Sequence, residues 1–147
     1  MRAVFRAGNG GGLWRAYPSK SLSHRALFAA ALSKGESTIK NLSACDDVLA
    51  TEKALAALGA HFLSTADGLK VRGFFPAEIP ENTVLDCKES GTTLRFLIPL
   101  ALLSGKRCVS PERRAFWSGP YRFMKRSRGS GGFVLKKTGT PSPSAEN

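Results

Sequence analysis

The sequence predicts an α/β fold in which helices alternate with short strands. Three segments carry apolar residues at helical spacing, and each begins with polar side chains and ends at a glycine. Between them lie short segments in which polar and apolar residues alternate, including a hairpin pattern. The predicted order is therefore helix, strand, helix, hairpin, strand, helix.

The first predicted helix starts at Ser21 or Ser23, because either hydroxyl could cap its free N–H groups. It is expected to run to about Leu32 and to stop before Gly35. The segment STIKNL, residues 37–42, then alternates like a short strand.

The second predicted helix lies within SACDDVLATEKALAALG, where Asp46 and Asp47 favour the start and Gly59 ends it. Its apolar stripe comprises Val48, Ala54, Leu55 and Leu58. The turn Ala66-Asp67-Gly68 then separates two short strands and predicts a hairpin.

The last predicted pair is a strand, TVLDC at residues 83–87, and a helix, SGTTLRFLIPLALLSG, that closes at Gly105. Pro99 lies inside this helix and is expected either to kink it or to shorten it. After Lys106 neither helical nor strand periodicity is sustained, and Arg, Gly, Ser and Pro are frequent. We therefore expect residues 108–147 to be a disordered basic tail.

The net charge of +11 would by itself favour a nucleic-acid partner. However, residues 106–147 hold 10 Lys and Arg against 2 Asp and Glu, so the excess lies mainly in the tail. The alternative function is thus a small basic nucleic-acid-binding protein that uses residues 106–147. Its stacking surfaces would be Trp117, Tyr121 and Phe123. We regard nucleic acid as the less favoured partner.

Two further properties concern location. The longest apolar run, residues 96–103, is too short to span a bilayer, so no membrane association is expected. The 3 cysteines are widely spaced and form no Cys-x-x-Cys pair. This pattern argues against a metal site or a disulfide framework and fits the cytoplasm.

Two of the predicted helix starts carry the residues of an anion site. PSKSLSHR places Lys20, Ser21 and Arg25 where free N–H groups and the helix dipole attract negative charge. ESGTTLRF repeats this design, because Gly91 permits close approach of the backbone and Arg95 follows one turn later. Each start alone also fits an ordinary capped surface helix. Together they predict a ligand set with two anionic groups.

The chain resembles the 5-enolpyruvylshikimate-3-phosphate synthases in two segments, PSKSLSHRALFAAALSKGESTIKNLSACDDVLATEKALAALGAHF and DCKESGTTLRFLIPLALLSGKR. The resemblance runs from Pro18 to Arg107 in family order and spacing. It implies transfer of an enolpyruvyl group from phosphoenolpyruvate to shikimate 3-phosphate, with release of phosphate and without metal or organic cofactor. It also implies a monomer with domains of repeated α/β units, helices inside and sheets outside. This chain would supply about one and a half repeats.

The resemblance also implies roles for individual residues. Lys20, Ser21 and Arg25 would bind shikimate 3-phosphate. Lys20 would also contact phosphoenolpyruvate, and Gly91 would let backbone N–H groups approach it. The residues that would support this second site are Glu89, Thr92 and Arg95. We expect no catalytic or metal-binding residue in this chain, because the family's proton-transfer groups lie in later segments.

The sequence departs from the family at three places. Lys88 stands where the family usually has glycine. Residues 1–17 lack the family's first strand and are expected to be irregular, whereas residues 18–107 form a partial enolpyruvyl-transferase domain. After about Val109 the family's Leu-x-Arg-Pro segment is missing. If one base was lost just after that codon, the corrected reading frame gives family-like sequence with permissible codon choices. We therefore expect a truncated, frameshifted fragment that is inactive alone.

Two alternatives to the frameshifted fragment stay open. The residues after Val109 could be a genuine basic extension, which the nucleotide sequence from codon 105 onward would decide. The chain could also be a ligand-binding domain without turnover.

Overall fold

A computed structural model describes residues 4, 8, 11–13, 16–112 and 132–137. Its helices are α1 (Lys20–Ala31), α2 (Asp46–Ala57) and α3 (Gly91–Ser104). Its strands are β1 (Glu36–Ile39), β2 (His61–Thr65), β3 (Gly68–Arg72), β4 (Thr83–Val84), β5 (Arg107–Glu112) and β6 (Gly132–Lys137). A short 3₁₀ turn spans Pro76–Glu78. The predicted order from α1 to α3 is confirmed.

The first sheet contains β1, β3 and β2, in that spatial order, and both of its pairings are antiparallel. The predicted hairpin joins β2 to β3, with Thr65 opposite Gly68. Gly68 has a φ of +137°, and a Cβ there would lie 2.4 Å from the carbonyl oxygen of Ile39. Only glycine fits this turn without displacing β1.

The second sheet contains β4, β5 and β6, which are parallel to one another. It corrects the expectation that regular structure ends at Lys106. Cys108 and Ser110 of β5 are buried while Val109 between them is half-buried, and Phe133 of β6 reaches the core. This alternation is too short, and too polar at Ser110, to stand out in the sequence. The rest of the expected tail lies outside the described residues.

The apolar core lies between the three helices and the two sheets. Its side chains with no exposed surface include Leu27 of α1, Leu55 of α2, and Leu94 and Leu97 of α3. Each sheet contributes as well, through Val71 and Cys108. The helices therefore pack on one another through their buried faces, which fixes the position of their N-terminal ends.

Several element ends differ from the prediction. Helix α1 starts at Lys20, and its cap is Ser19 rather than Ser21 or Ser23. The Ser23 hydroxyl instead donates to the Ser19 carbonyl at 2.9 Å and accepts from the Ser43 N–H at 3.0 Å. Helix α3 continues through Pro99 to Ser104.

Two strands are shorter than predicted. Strand β1 ends at Ile39, ahead of Asn41 with a φ of 58°. Strand β4 covers Thr83–Val84 alone, and the chain then turns toward Lys88, whose φ is 47°. Residues in this left-handed region interrupt an extended strand, so both predicted strands lose their last residues.

None of the helices in the described part of the chain is long and apolar enough to cross a bilayer.

Candidate anion-binding site

The three helices run parallel, so that their N-terminal ends lie together. Lys20 of α1 contacts Asp47 of α2, and one turn further His24 contacts Thr51. A step of four residues along α1, from Lys20 to His24, corresponds to a step of four residues along α2, from Asp47 to Thr51. Helices α1 and α2 are therefore parallel.

Helices α1 and α3 show the same relation. Thr51, the partner of His24, also contacts Thr93 near the start of α3. Further along, the rings of Phe28 and Phe96 have centroids 5.0 Å apart. The two helix starts that the sequence singled out therefore lie at one end of the helical layer.

At the α1 start, the Lys20 ammonium forms an ion pair with the Asp47 carboxylate. The hydrogen bond to Asp47 is the main cause that raises the pKa of Lys20 above its usual value. Ser21 and Arg25 are exposed at the same start. A ligand anion here would meet one free hydroxyl, one guanidinium and one ammonium that is shared with a carboxylate.

At the α3 start, Ser90 is the cap and is buried, and its hydroxyl accepts from the Thr93 N–H at 3.3 Å. Gly91 and Thr92 are half-buried. Glu89 and Arg95 are exposed on either side of them. The first-turn N–H groups and the dipole of a 14-residue helix thus face the same end of the layer as Lys20.

A buried chain of polar side chains connects the two starts. The His24 Nδ1 atom lies 2.7 Å from the Thr51 hydroxyl, and that hydroxyl lies 2.6 Å from the Thr93 hydroxyl. The Thr93 hydroxyl in turn donates to the Ser90 hydroxyl at 2.7 Å. The helix starts are therefore linked by hydrogen bonds as well as by apolar packing.

His24 is a neutral, internal member of this chain. Burial is the main cause that lowers the pKa of His24 below its usual value, and the positive charge of Lys20 adds to it. The side chain is 1% exposed, so it is no surface base. A lone histidine indicates no special role in the sequence, whereas in the structure His24 takes part in internal hydrogen bonding.

The sequence reasoning missed Thr51, and it did not identify the partners of Asp47 and Thr93. The sequence predicts only a helix-dipole role for Asp47, whereas its carboxylate also pairs with Lys20. Thr51 interrupts the apolar stripe of α2, and a β-branched hydroxyl on a buried helix face was the signal that could have identified it.

No group of three or more His, Cys, Asp and Glu side chains within the described ranges is arranged to hold a metal ion. Cys45, Cys87 and Cys108 are all unpaired thiols. Burial raises the pKa of the Cys87 thiol to about 12, so this thiol stays protonated at neutral pH.

Lys88 adopts a backbone conformation that favours glycine. Its φ is 47°, and its N–H donates to an Asp86 carboxylate oxygen at 2.9 Å. A left-handed residue with a Cβ costs roughly 1–2 kcal/mol. The glycine that is usual at this position in the resembled family would avoid this cost. Lysine at position 88 therefore strains the backbone of this turn.

We predict that Lys88→Gly raises the free energy of unfolding by about 1 kcal/mol, because it relieves this backbone strain. Urea denaturation at an unchanged m value measures the gain. Lys88→Ala removes the same charge but keeps the Cβ, and should give no such gain. Equal stabilisation by glycine and alanine would contradict the strain explanation.

This geometry defines a class of protein: an α/β unit with two parallel helix starts and their cations at one end, suited to small anionic ligands. A family model described as EPSP synthase (3-phosphoshikimate 1-carboxyvinyltransferase) matches residues 11–111. The chain therefore belongs to the EPSP synthase family.

Similar proteins agree with this assignment. A 3-phosphoshikimate 1-carboxyvinyltransferase of Clostridium perfringens is 43% identical over 90 residues, covering 61% of this chain and 21% of its own length. One of Methanosphaerula palustris is 42% identical over 123 residues, covering 83% of this chain and 28% of its own length. The chain thus spans 21% and 28% of the length of these two relatives.

A solved EPSP synthase from Acinetobacter baumannii has the same fold, with a TM-score of 0.58 and 20% identity. The match covers 78% of this chain and 27% of the solved one. At this identity the likeness concerns the fold alone, and it confirms the predicted α/β fold.

Proposed function

We propose that this chain forms part of the substrate site of an enzyme that transfers an enolpyruvyl group from phosphoenolpyruvate to shikimate 3-phosphate and releases phosphate. The observation that carries the proposal is the common end of the α1 and α3 starts, which the Lys20–Asp47 and Thr51–Thr93 contacts establish. Both substrates are anions, and two ligands of like charge need cations and helix N-termini to lie side by side.

In this proposal Lys20, Ser21 and Arg25 bind the phosphate of shikimate 3-phosphate. All three are exposed at the α1 start. The guanidinium of Arg25 can engage two phosphate oxygens at once, whereas the Lys20 ammonium acts as a point charge. Asp47 competes with the ligand for Lys20 and keeps the ammonium in place before binding.

Phosphoenolpyruvate is the ligand that we assign to the α3 start, where Gly91 and Lys20 make contact with it. Thr92 and Arg95 support this turn, and Glu89 limits how much negative charge it accepts. The residues act by positioning and charge neutralisation, and no metal or organic cofactor takes part.

Turnover requires proton-transfer groups, which we place outside this chain. The 147-residue chain alone is therefore expected to bind shikimate 3-phosphate weakly and to release no phosphate. The complete enzyme is proposed to be monomeric and cytoplasmic. The nucleic-acid alternative depends on Trp117, Tyr121 and Phe123, which lie outside the described residues, and no comparison supports it.

Calorimetric titration of the purified chain with shikimate 3-phosphate, with and without phosphoenolpyruvate, would test the proposal. We expect saturable binding. Raising the salt to about 200 mM should weaken this binding without abolishing it, because a few charge-assisted contacts carry the affinity. Absence of binding at millimolar ligand would contradict the proposal. Phosphate release is measured in parallel, and release at the rate of a complete family member would contradict the expected lack of turnover.

A further inference from the structure

The hydroxyl chain between the helix starts has only one proton order that satisfies its contacts. A threonine hydroxyl carries one proton and can accept two hydrogen bonds. The Thr51 hydroxyl has one proton and two neighbouring acceptors, the Thr93 hydroxyl at 2.6 Å and the Asp47 carbonyl at 3.1 Å. The direction of the Thr93 proton decides which contact the Thr51 proton fills.

The Thr93 hydroxyl uses its own proton toward Ser90. Ser90 accepts it, and accepts the Thr93 N–H as the α3 cap. The 2.6 Å contact between the two threonines therefore takes the proton of Thr51, because two hydroxyl oxygens this close need a hydrogen between them. Since no threonine proton is left for His24, the Nδ1 atom of His24 must carry the hydrogen of its 2.7 Å contact with Thr51. The order of donation runs from His24 through Thr51 and Thr93 to Ser90.

The opposite ring nitrogen agrees with this order. With a proton on Nδ1, the neutral ring has a bare Nε2. Nε2 of His24 is buried and has no hydrogen-bond partner within the described part of the chain. A protonated Nε2 would instead leave a buried donor unsatisfied and would require the hydroxyl chain to reverse.

The same contacts connect the ligand cation to the second helix start. Lys20 pairs with the Asp47 side chain, and the Asp47 carbonyl lies 3.1 Å from the Thr51 hydroxyl. A ligand anion that takes Lys20 away from Asp47 breaks this ion pair at the first turn of α2. Thr51 and Thr93 connect that turn to the cap of α3. The ion pair and the hydroxyl chain thus form one continuous path from Lys20 to the start of α3.

We propose that His24, held as its Nδ1–H tautomer, is a positioning residue whose ordered hydroxyl chain through Thr51 and Thr93 couples the α1 start to the α3 start. An anion bound at Lys20 thereby changes the anion site at Gly91. The choice of ligand rests on the proposed function, whereas the tautomer and the coupling of the two starts do not.

Nitrogen-15 NMR of the full chain tests both parts. The His24 ring should show a protonated Nδ1 and a bare Nε2 at neutral pH without ligand. Adding shikimate 3-phosphate should shift the amides of Ser21 and also those of Gly91 and Thr92. Thr51→Val removes the hydroxyl at similar volume and should keep the Ser21 shift but lose the shifts at α3.

Thr51→Ser is the matched control, because it keeps the hydroxyl and should retain the shifts at both starts. Shifts at Gly91 that persist in Thr51→Val, or a His24 ring protonated on Nε2, would overturn the inference. If shikimate 3-phosphate shifts no amide, the proposed function is contradicted. The coupling is then tested with a variant that needs no ligand.

The test without ligand uses the variant Asp47→Asn, which breaks the ion pair with Lys20. It should shift the Gly91 amide in the otherwise unaltered chain and in Thr51→Ser, but not in Thr51→Val. Should Thr51→Val fail to fold, the His24 nitrogen spectrum and the Asp47→Asn shifts decide alone. An unmoved Gly91 amide after Asp47→Asn would overturn the coupling.

Discussion

Arg25→Leu is expected to lower the affinity for shikimate 3-phosphate by about 10- to 150-fold. A hydrogen bond to a charged group contributes about 1.5–3 kcal/mol, and each 1.4 kcal/mol is a factor of ten in affinity. Arg25 is exposed at the α1 start, so its removal leaves no buried charge behind. Calorimetric titration of variant and unaltered chain measures the ratio.

Two controls separate the contact from the overall charge. Lys34→Met removes one positive charge beyond the opposite end of α1, which is 12 residues or roughly 18 Å long, and should change the affinity less than about twofold. Arg25→Lys keeps the charge but loses the planar fork, and should give an intermediate affinity. If Arg25→Leu and Lys34→Met reduce affinity equally, Arg25 is not a specific ligand.

Leu97→Ala is expected to lower the free energy of unfolding by about 2–5 kcal/mol. Leu97 has 0% exposure in the core that α3 shares with the other helices, so the substitution leaves a cavity. Such a loss is a large part of the stability of an ordinary small domain. Chemical denaturation measures it, and the ligand affinity should fall as the folded fraction falls.

Leu103→Ala is the matched control for this prediction. It makes the same chemical change in the same helix, but Leu103 is 75% exposed. We expect a change within about 0.5 kcal/mol. Equal losses for the two variants would mean that α3 does not pack through the face that contains Leu97.

The order of elements could be predicted because it depends on local patterns. Three apolar stripes, three glycine stops and the Ala66-Asp67-Gly68 turn lie within short windows, and each pattern has one physical interpretation. The two anion motifs could also be identified, since a cation or glycine beside hydroxyls at a helix start is a local pattern too.

What the sequence could not predict depends on contacts between distant segments. Strand β6 pairs with β5 across a segment of chain whose length gives no hint of the pairing. The partner of Lys20 lies in another helix, and Thr51 and Thr93 are separated by 42 positions. Nothing in either segment alone specifies that these hydroxyls meet.

The frameshift after about Val109 stays a prediction. The family model ends at residue 111, close to the expected position. The Methanosphaerula palustris match, which covers 83% of the chain, extends past residue 111 wherever it begins. The nucleotide sequence from codon 105 onward is expected to show one lost base, and a shifted frame without family-like sequence would contradict the hypothesis.

A crystal structure of the chain in complex with shikimate 3-phosphate and phosphoenolpyruvate is the most direct test of whether the two helix starts bind one anion each. We expect the phosphate of shikimate 3-phosphate within hydrogen-bonding distance of Lys20, Ser21 and Arg25, and phosphoenolpyruvate at the Gly91 N–H. Ligands bound elsewhere, or α1 and α3 starts at opposite ends of the layer, would contradict the proposed site.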